Sequence, residues 1–405
     1  MKKTKYLSIK NNVNGFSFAN LGLFTGFADG IVNAVYSLVL LGIFKLFFNE
    51  ELASAAVGVY AALYAVFAAV VGIFSVEILH WFTKTKLLYI TMALLGACYC
   101  MMSFSVKPST FVVLDYIANF ALVMLGVLIP LFMSEFSRGI GMAKLNARRL
   151  LWINVGAFVA PVFAMSVVNF FGGNYRMPFL AAGMIYFFGL LFFKHFGIVQ
   201  QDKVIKRVNF TKTLRVLHMN ALEFFKEPGM VRAYVVNFGY YALRAMRLLY
   251  VPIVVIENGF SNETLGIMLS VGILPYIFID LFMGKLIQKY GVKIWMSIGF
   301  ISFAIFSVFA MLVNGWALLG IFVLWQISGA LMESSHDLLF FNNMPRKKQD
   351  KYYGVFRTSS NLPSVIVPVF GTILIALFDA TSAVWAITAI VASLSAYVLL
   401  TKMLK

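Results

Sequence analysis

Long apolar segments separated by short polar connections dominate this chain. Each segment has about 20 or more residues, the length that an α-helix needs to cross roughly 30 Å of hydrocarbon. The pattern predicts twelve transmembrane helices, at residues 17–46, 54–79, 87–106, 111–134, 150–171, 177–198, 231–256, 263–284, 293–313, 316–341, 352–378 and 382–402. We therefore expect an all-α polytopic membrane protein.

The composition agrees with this interpretation. Of 405 residues, 61% are hydrophobic and 12% are charged, which excludes an ordinary soluble domain. Most of the 33 lysines and arginines fall in the connections of one side. By the positive-inside rule that side is cytoplasmic, so we expect a multi-pass protein of the cytoplasmic (inner) membrane with both termini inside. The net charge of +17 then reflects orientation and lipid headgroups, and it requires no nucleic-acid partner.

The longest polar connection divides the predicted helices six plus six. It predicts an N-terminal lobe at 1–198, a cytoplasmic linker at 199–230 and a C-terminal lobe at 231–405. The fifth helix contains "NVGAFVAP", from Asn154 to Pro161, and the eleventh contains "NLPSVIVP", from Asn361 to Pro368. This repeat indicates two pseudo-symmetric six-helix lobes, an arrangement found in many transporters.

One short basic connection follows the eighth predicted helix. Its sequence "GKLIQKYGVK", residues 284–293, resembles the loop signature of the major facilitator superfamily. The positions that match are Gly284, Lys289, Gly291 and Lys293, whereas Gln288 stands where the family usually has aspartate. The resemblance implies that this loop latches the two lobes. Its glycines permit a sharp turn and its cations can reach a helix carbonyl end, although a plain positive-inside loop is the alternative.

Two further segments carry the resemblance more weakly. The first-half loop "HWFTKTKLL" keeps Lys84 and Lys86, but it has His80 at the acidic position and Thr83 at the glycine position. The segment "NYRMPF" resembles the aromatic and arginine residues that precede the sixth helix in the family. The resemblance spans the whole chain in layout and implies alternating access between two lobes.

Arg244 and Arg247 lie inside the seventh predicted helix and share a face with Tyr240. A lipid-facing arginine at a helix centre costs about 2.5–3.5 kcal/mol, so this face is expected to point towards protein or water. In the superfamily, the first and seventh helices line the central cavity, which implies that Asp29 faces one arginine and that Tyr36 lines the same site. The second arginine then binds an anionic or zwitterionic substrate. Alternatively, Asp29, helix carbonyls and water satisfy both arginines.

Several other charged residues are candidates for gating or proton transfer. Counting along the helices predicts an Arg232–Asp280 pair and a pair between Arg357 and either Glu333 or Asp337, near the cytoplasmic face. Proton coupling is a further hypothesis, with Asp29, Glu333 and His336 as its candidates. Asp115 is expected to be a solvated residue at the outer end of the fourth helix.

These observations favour a secondary active transporter that moves a small organic solute by alternating access. No phosphate-binding loop, catalytic carboxylate pair or metal-ligand spacing appears, so we expect neither an enzyme nor a cofactor or metal site. The expected partners are a small-molecule substrate and membrane lipids, and the expected state is a monomer. An exporter of amphipathic drugs or lipids and a non-transporting receptor on the same fold remain alternatives.

Overall fold

The computed structural model of the protein describes residues 2–136, 140–196, 219, 221–333, 335–336, 339–340, 346–378 and 383–401. These residues form α-helices joined by short turns, and no strand occurs among them. The helices are α1 Lys2–Phe44, α2 Glu50–Trp81, α3 Lys84–Phe104, α4 Pro108–Phe136, α5 Ile140–Phe170, α6 Met177–Phe196, α7 Pro228–Glu257, α8 Asn262–Val271, α9 Leu274–Tyr290, α10 Val292–Leu312, α11 Trp316–Glu333, α12 Arg346–Phe378 and α13 Ala383–Leu400.

Within the described residues, ten segments are long and apolar enough to cross a membrane. They fall one each on α1 to α7, on α8 with the start of α9, and on α10 and α11. The proline-containing helix α12 and the shorter apolar helix α13 bring the number to the predicted twelve. The predicted fold class, an all-α polytopic membrane protein, is confirmed.

The eighth predicted span consists of two helices. The chain turns at Gly272 and Ile273, and α9 then begins with Pro275 in its first turn. Proline is favoured there because the first amide groups of a helix have no partner within the helix. The apolar pattern continues through the turn, which is why the sequence predicted one helix.

The predicted loop at 284–293 is shorter than expected. Helix α9 continues to Tyr290, and only Gly291, with φ of 84°, separates it from α10. The predicted extent of the loop was therefore wrong, because no residue between 284 and 290 breaks the helix. Within 284–293 the backbone takes a positive φ at Gly291. In the first-half loop, Thr83 caps α3 by accepting a hydrogen bond from the backbone amide of Lys86.

The described residues form two compact units. Unit 1 is drawn from Met1–Val39, Phe67–Val208 and Asn262–Ser270, and unit 2 from Leu40–Val66, Asn209–Ser261 and Val271–Lys405. Two short segments, 40–66 and 262–270, thus group differently from the six-plus-six division. The functional lobes at 1–198 and 231–405, with their linker, stay a prediction.

In unit 1, small residues bring α1 and α5 into close contact. A Cβ atom at Gly26 would lie 2.6 Å from the Cα of Ile153, and one at Gly30 would lie 2.6 Å from the Cβ of Ala160. On the other helix, a Cβ at Gly156 would lie 2.6 Å from the backbone nitrogen of Phe27. Such close backbone approach is typical of membrane helices that pack through small residues.

In unit 2, α7 packs against α12 and α13, and α11 packs against α9 and α10. Asn237 on α7 donates a 2.7 Å hydrogen bond to the hydroxyl of Ser359 on α12. Trp325 on α11 stacks on Phe303 of α10, with ring centroids 4.8 Å apart. These contacts fix α7 and α11, the two helices that carry the candidate site.

Candidate functional site

Helix α7 places Tyr240, Arg244 and Arg247 at positions i, i+4 and i+7, which lie on one side of a helix. Facing residues come from α9, α11 and the segment that follows α11, all within unit 2. The predicted cluster on α7 therefore meets polar side chains of its own unit.

Two neutral oxygen atoms hold the guanidinium of Arg247. Its Nη1 atom donates to the hydroxyl of Tyr276 and to Oε1 of Gln326, both buried residues. Its Cζ atom also lies 5.3 Å from the centroid of the Tyr276 ring. Gly329 leaves the space for this arrangement, since a Cβ atom there would meet the Tyr276 hydroxyl.

The other two nitrogen atoms of this guanidinium, Nε and Nη2, are available to a ligand. Among the described residues, no carboxylate contacts Arg247, and its Nε and Nη2 atoms have no hydrogen bond. Arginine presents its donors in a planar fork that matches a carboxylate or phosphate. Arg247 is thus a positioned cation whose charge is not neutralised by a described side chain.

Arg244 has an acidic neighbour. Its Nη1 atom lies 3.9 Å from Oε1 of Glu333, and the two side chains are 43% and 30% exposed. This separation exceeds a hydrogen bond, so the pair is loose and accessible. The side chain of Arg357 and the whole of Asp337 lie outside the described residues, so the predicted pairs with Arg357 stay predictions.

Tyr240 and His336 form an aromatic stack in the same region. Their rings are 4.5 Å apart and inclined by 15°, and Tyr241 meets the His336 ring edge-on at 5.3 Å. Tyr240 and His336 are both buried. A proton relay from Glu333 to His336 stays a prediction.

In unit 1, Asp29 accepts a hydrogen bond from the hydroxyl of Tyr186, a fully buried residue. No described cation contacts this carboxylate. Its expected position opposite Arg244 or Arg247 stays a prediction. Asp29 is thus held by a neutral donor, as Arg247 is held by neutral acceptors.

Tyr36 donates a 2.7 Å hydrogen bond to Oδ2 of Asp115. Asp115 is only 2% exposed, so the expectation of a solvated residue was wrong. Counting along α4 gave its distance from the helix end but not the direction in which it faces. The contact shows that it faces α1.

The candidate gating residues are only partly described. Lys293 donates to the backbone oxygen of Leu400, the last residue of α13, at 3.4 Å. Lys289 lies 4.9 Å from the centroid of the Tyr290 ring. The side chains of Asp280 and Gln288 lie outside the described residues, as do the surroundings of Gly284. The Arg232–Asp280 pair and the latch therefore stay predictions.

A polar cluster joins the start of α8 to the end of α5 within unit 1. The hydroxyl of Tyr175 donates to Oδ1 of Asn262 at 2.7 Å, and Nδ2 of Asn262 donates to Oδ1 of Asn169 at 3.1 Å. Asn169 in turn donates to Glu263. Burial raises the pKa of Tyr175, which keeps its hydroxyl a donor. Arg176, beside it, donates to the backbone oxygen of Ser105.

Sequence reasoning missed three residues that position the site. Gln326 and Tyr276 hold Arg247, and Tyr186 holds Asp29. Gln326 had a usable signal, because it is a lone amide in the apolar run "IFVLWQISG" and such residues usually have a partner in a membrane helix. Tyrosines are too common in this chain to stand out.

The comparisons with known proteins agree with this architecture. Residues 233–404 match the family model described as Major Facilitator Superfamily. The resemblance to this family is confirmed. No curated protein matches the chain.

Solved structures of several transporters match nearly the whole chain. A crystal structure of a D-xylose-proton symporter has a TM-score of 0.78 and 14% identity, covering 96% of this chain and 97% of the other. The nucleoside transporter NupG has a TM-score of 0.67 and 15% identity, covering 95% and 98%. The peptide transporter POT in complex with sulfate has a TM-score of 0.72 and 13% identity, covering 96% and 93%. At these identities the likeness establishes the fold alone.

Proposed function

We propose that the protein is a secondary active transporter that moves a small organic anion or zwitterion by alternating access. Its site is centred on Arg247 and Arg244 of α7. The superfamily fold supports a role in transport. The neutral partners of Arg247 support a negatively charged group on the substrate. The protein works as a monomer in the cytoplasmic membrane, with both termini inside.

The observation that carries this proposal is the neutral anchoring of Arg247. Tyr276 and Gln326 fix one nitrogen of the guanidinium without neutralising it. An arginine at membrane depth is costly unless it serves a polar interior or a ligand. A carboxylate or phosphate that bridges Nε and Nη2 would supply the missing charge and two charge-assisted hydrogen bonds.

Arg244 and Glu333 suggest how transport couples to protons. A carboxylate near Arg244 competes with an anionic substrate for the same cation. Protonation of Glu333 removes this competitor, so a proton and an anion bind together. Asp29 and His336 are the other candidate proton carriers, and Tyr240, one turn before Arg244 on α7, belongs to the proposed site.

Counterflow in reconstituted liposomes tests the proposal. The panel consists of small organic anions and zwitterions, each paired with its neutral amide or ester. We expect the wild type to exchange at least one anion faster than its neutral amide or ester. We expect Arg247→Ala to lose this preference. Lys107→Ala removes one exposed cation between α3 and α4 and serves as the control.

Two results would contradict the proposal. Exchange that never distinguishes an anion from its neutral partner would remove the role of the arginines. Failure of every solute to exchange, with a protein that is folded and inserted, would favour a non-transporting receptor on this fold.

A further inference from the structure

An apolar groove runs along unit 1 between α1, α5 and α6. Its volume is about 590 Å³, and apart from Gly156 only apolar side chains line it, including Leu23, Phe24, Phe27, Val155, Val159 and Phe188. Val159 is 49% exposed and Phe188 is 63% exposed, so the groove is open along its side. The groove residues all lie within segments that are long and apolar enough to cross a membrane. We therefore expect the open side of the groove to meet hydrocarbon.

Unpaired polar groups lie at one end of this groove. The Nε atom of Arg149, the Nε1 atom of Trp152 and the Oδ1 atom of Asn20 are buried, and they have no hydrogen-bond partner in the part of the chain that the structure describes. Buried polar atoms in native proteins are almost always paired, so three such atoms in one region need a partner. The Nε atom of Arg149 and the Nε1 atom of Trp152 are donors, and Arg149 is a permanent cation.

The backbone brings these groups together beside the groove. Arg149 packs against α1, since a Cβ at Gly22 would lie 3.3 Å from its Cγ atom. Asn20 precedes the groove residues Leu23 and Phe24 by three and four positions, so it shares their face of α1. Trp152 is three residues after Arg149, on the same side of α5. Trp152 precedes Val155, the first groove residue of α5, by three residues, and Asn20 precedes Leu23, the first groove residue of α1, by three residues. At 1.5 Å per residue, each offset is about 4.5 Å along the helix axis.

Helix α6 adds positive charge at the same end. It runs antiparallel to α5 through a short turn, and its last groove residue is Phe192, whose ring lies 5.3 Å from that of Phe24. Lys194 follows two residues later and is exposed. The groove thus has an apolar body and one end that carries cations and unpaired donors.

We propose that this groove is a binding site for an anionic diacyl phospholipid. One acyl chain lies along α1, α5 and α6, and the phosphate accepts hydrogen bonds from Arg149 and Trp152. Asn20 offers an acceptor to a headgroup hydroxyl, which favours phosphatidylglycerol over lipids without a hydroxylated headgroup. The site lies wholly within unit 1 and is independent of the proposed transport site.

Native mass spectrometry of the purified, delipidated protein tests this assignment. The probes are phosphatidylglycerol, phosphatidylcholine with the same acyl chains, and glycerophosphoglycerol, which has the headgroup without chains. We expect one saturable phosphatidylglycerol site in the wild type and weaker binding of the other two probes. Equal binding of both lipids would overturn the proposal. Equal binding of the chain-free headgroup would show an anion site rather than a lipid site, and would overturn it as well.

Different variants test the headgroup contacts and the acyl-chain contacts of this site. We expect Arg149→Gln to weaken phosphatidylglycerol binding at least about ten-fold, the effect of a lost charge-assisted hydrogen bond. Val159→Trp should weaken it by filling the groove, and Lys107→Gln should leave it unchanged. Trp152→Phe keeps an aromatic side chain and removes the indole donor, so it tests the headgroup even if Arg149→Gln does not fold. Wild-type binding in both Trp152→Phe and Val159→Trp would overturn the site.

Discussion

The Nη1 atom of Arg244 lies 3.9 Å from Oε1 of Glu333, and both side chains remain partly exposed. Three residues further along α7, Arg247 is held by neutral oxygens of Tyr276 and Gln326 among the residues that the structure describes. The two arginines of one helix face therefore have different electrostatic surroundings. One arginine has a carboxylate beside it, and the other has only neutral partners among the described residues, which makes separate experiments on them informative.

Glu333→Gln tests the coupling role of this pair. The substitution keeps the size of the side chain and removes its charge and its ability to carry a proton. We expect anion counterflow to persist, whereas accumulation driven by an imposed pH gradient is lost. The measurement compares counterflow with uptake under the gradient in the same liposomes.

Glu263→Gln is the matched control, because it neutralises an exposed carboxylate at the start of α8 in unit 1. It should keep gradient-driven uptake. Gradient-driven accumulation by Glu333→Gln at the wild-type level would exclude Glu333 as the proton carrier. Asp29 and His336 would then be the remaining candidates.

Gln326→Glu tests the charge of Arg247. The new carboxylate replaces an amide oxygen that already contacts the guanidinium, so it neutralises the cation in place. We expect the apparent affinity for the transported anion to fall at least about ten-fold, equivalent to about 1.4 kcal/mol. Half-saturation of counterflow measures this change.

Gln326→Met provides the comparison, since it removes the hydrogen bond without adding charge. Its effect should be smaller than that of Gln326→Glu, because Tyr276 still holds Arg247. If both variants weaken anion binding equally, the position of the Arg247 side chain rather than its charge determines affinity. The anionic preference proposed for this site would then be wrong.

Hydrophobic periodicity predicted the helical fold of this chain because membrane helices require about 20 apolar residues each. It could not predict the turn at Gly272, where the apolar pattern is continuous. Arg244 and Arg247 stood out because charge is rare in such segments. Their partners did not, since glutamine and tyrosine carry no charge and the contacts join helices far apart in sequence. Asp115 shows the same limit, because depth along a helix does not specify the face.

Gly156→Ala tests the close packing of α1 on α5. A Cβ at this position would lie 2.6 Å from the backbone nitrogen of Phe27, a rigid atom that cannot move aside. We expect a loss of stability of about 1–3 kcal/mol, as for overpacked cores. Gly126→Ala is the control, because a Cβ there meets nothing within 4 Å. Thermal unfolding in detergent gives the comparison, and equal melting temperatures for the two variants would contradict the packing argument.

Tyr36→Phe separates a binding role for Tyr36 from a structural one. Its hydroxyl donates to Asp115, which is 2% exposed, so the variant removes one donor from a buried carboxylate. We expect stability to fall by about 1–3 kcal/mol while the half-saturation of counterflow stays at the wild-type value. Tyr89→Phe removes a hydroxyl that has no described hydrogen bond and should leave both quantities unchanged. A variant that unfolds like the wild type but loses affinity would contradict the structural role and would instead support the predicted binding role of the Tyr36 hydroxyl.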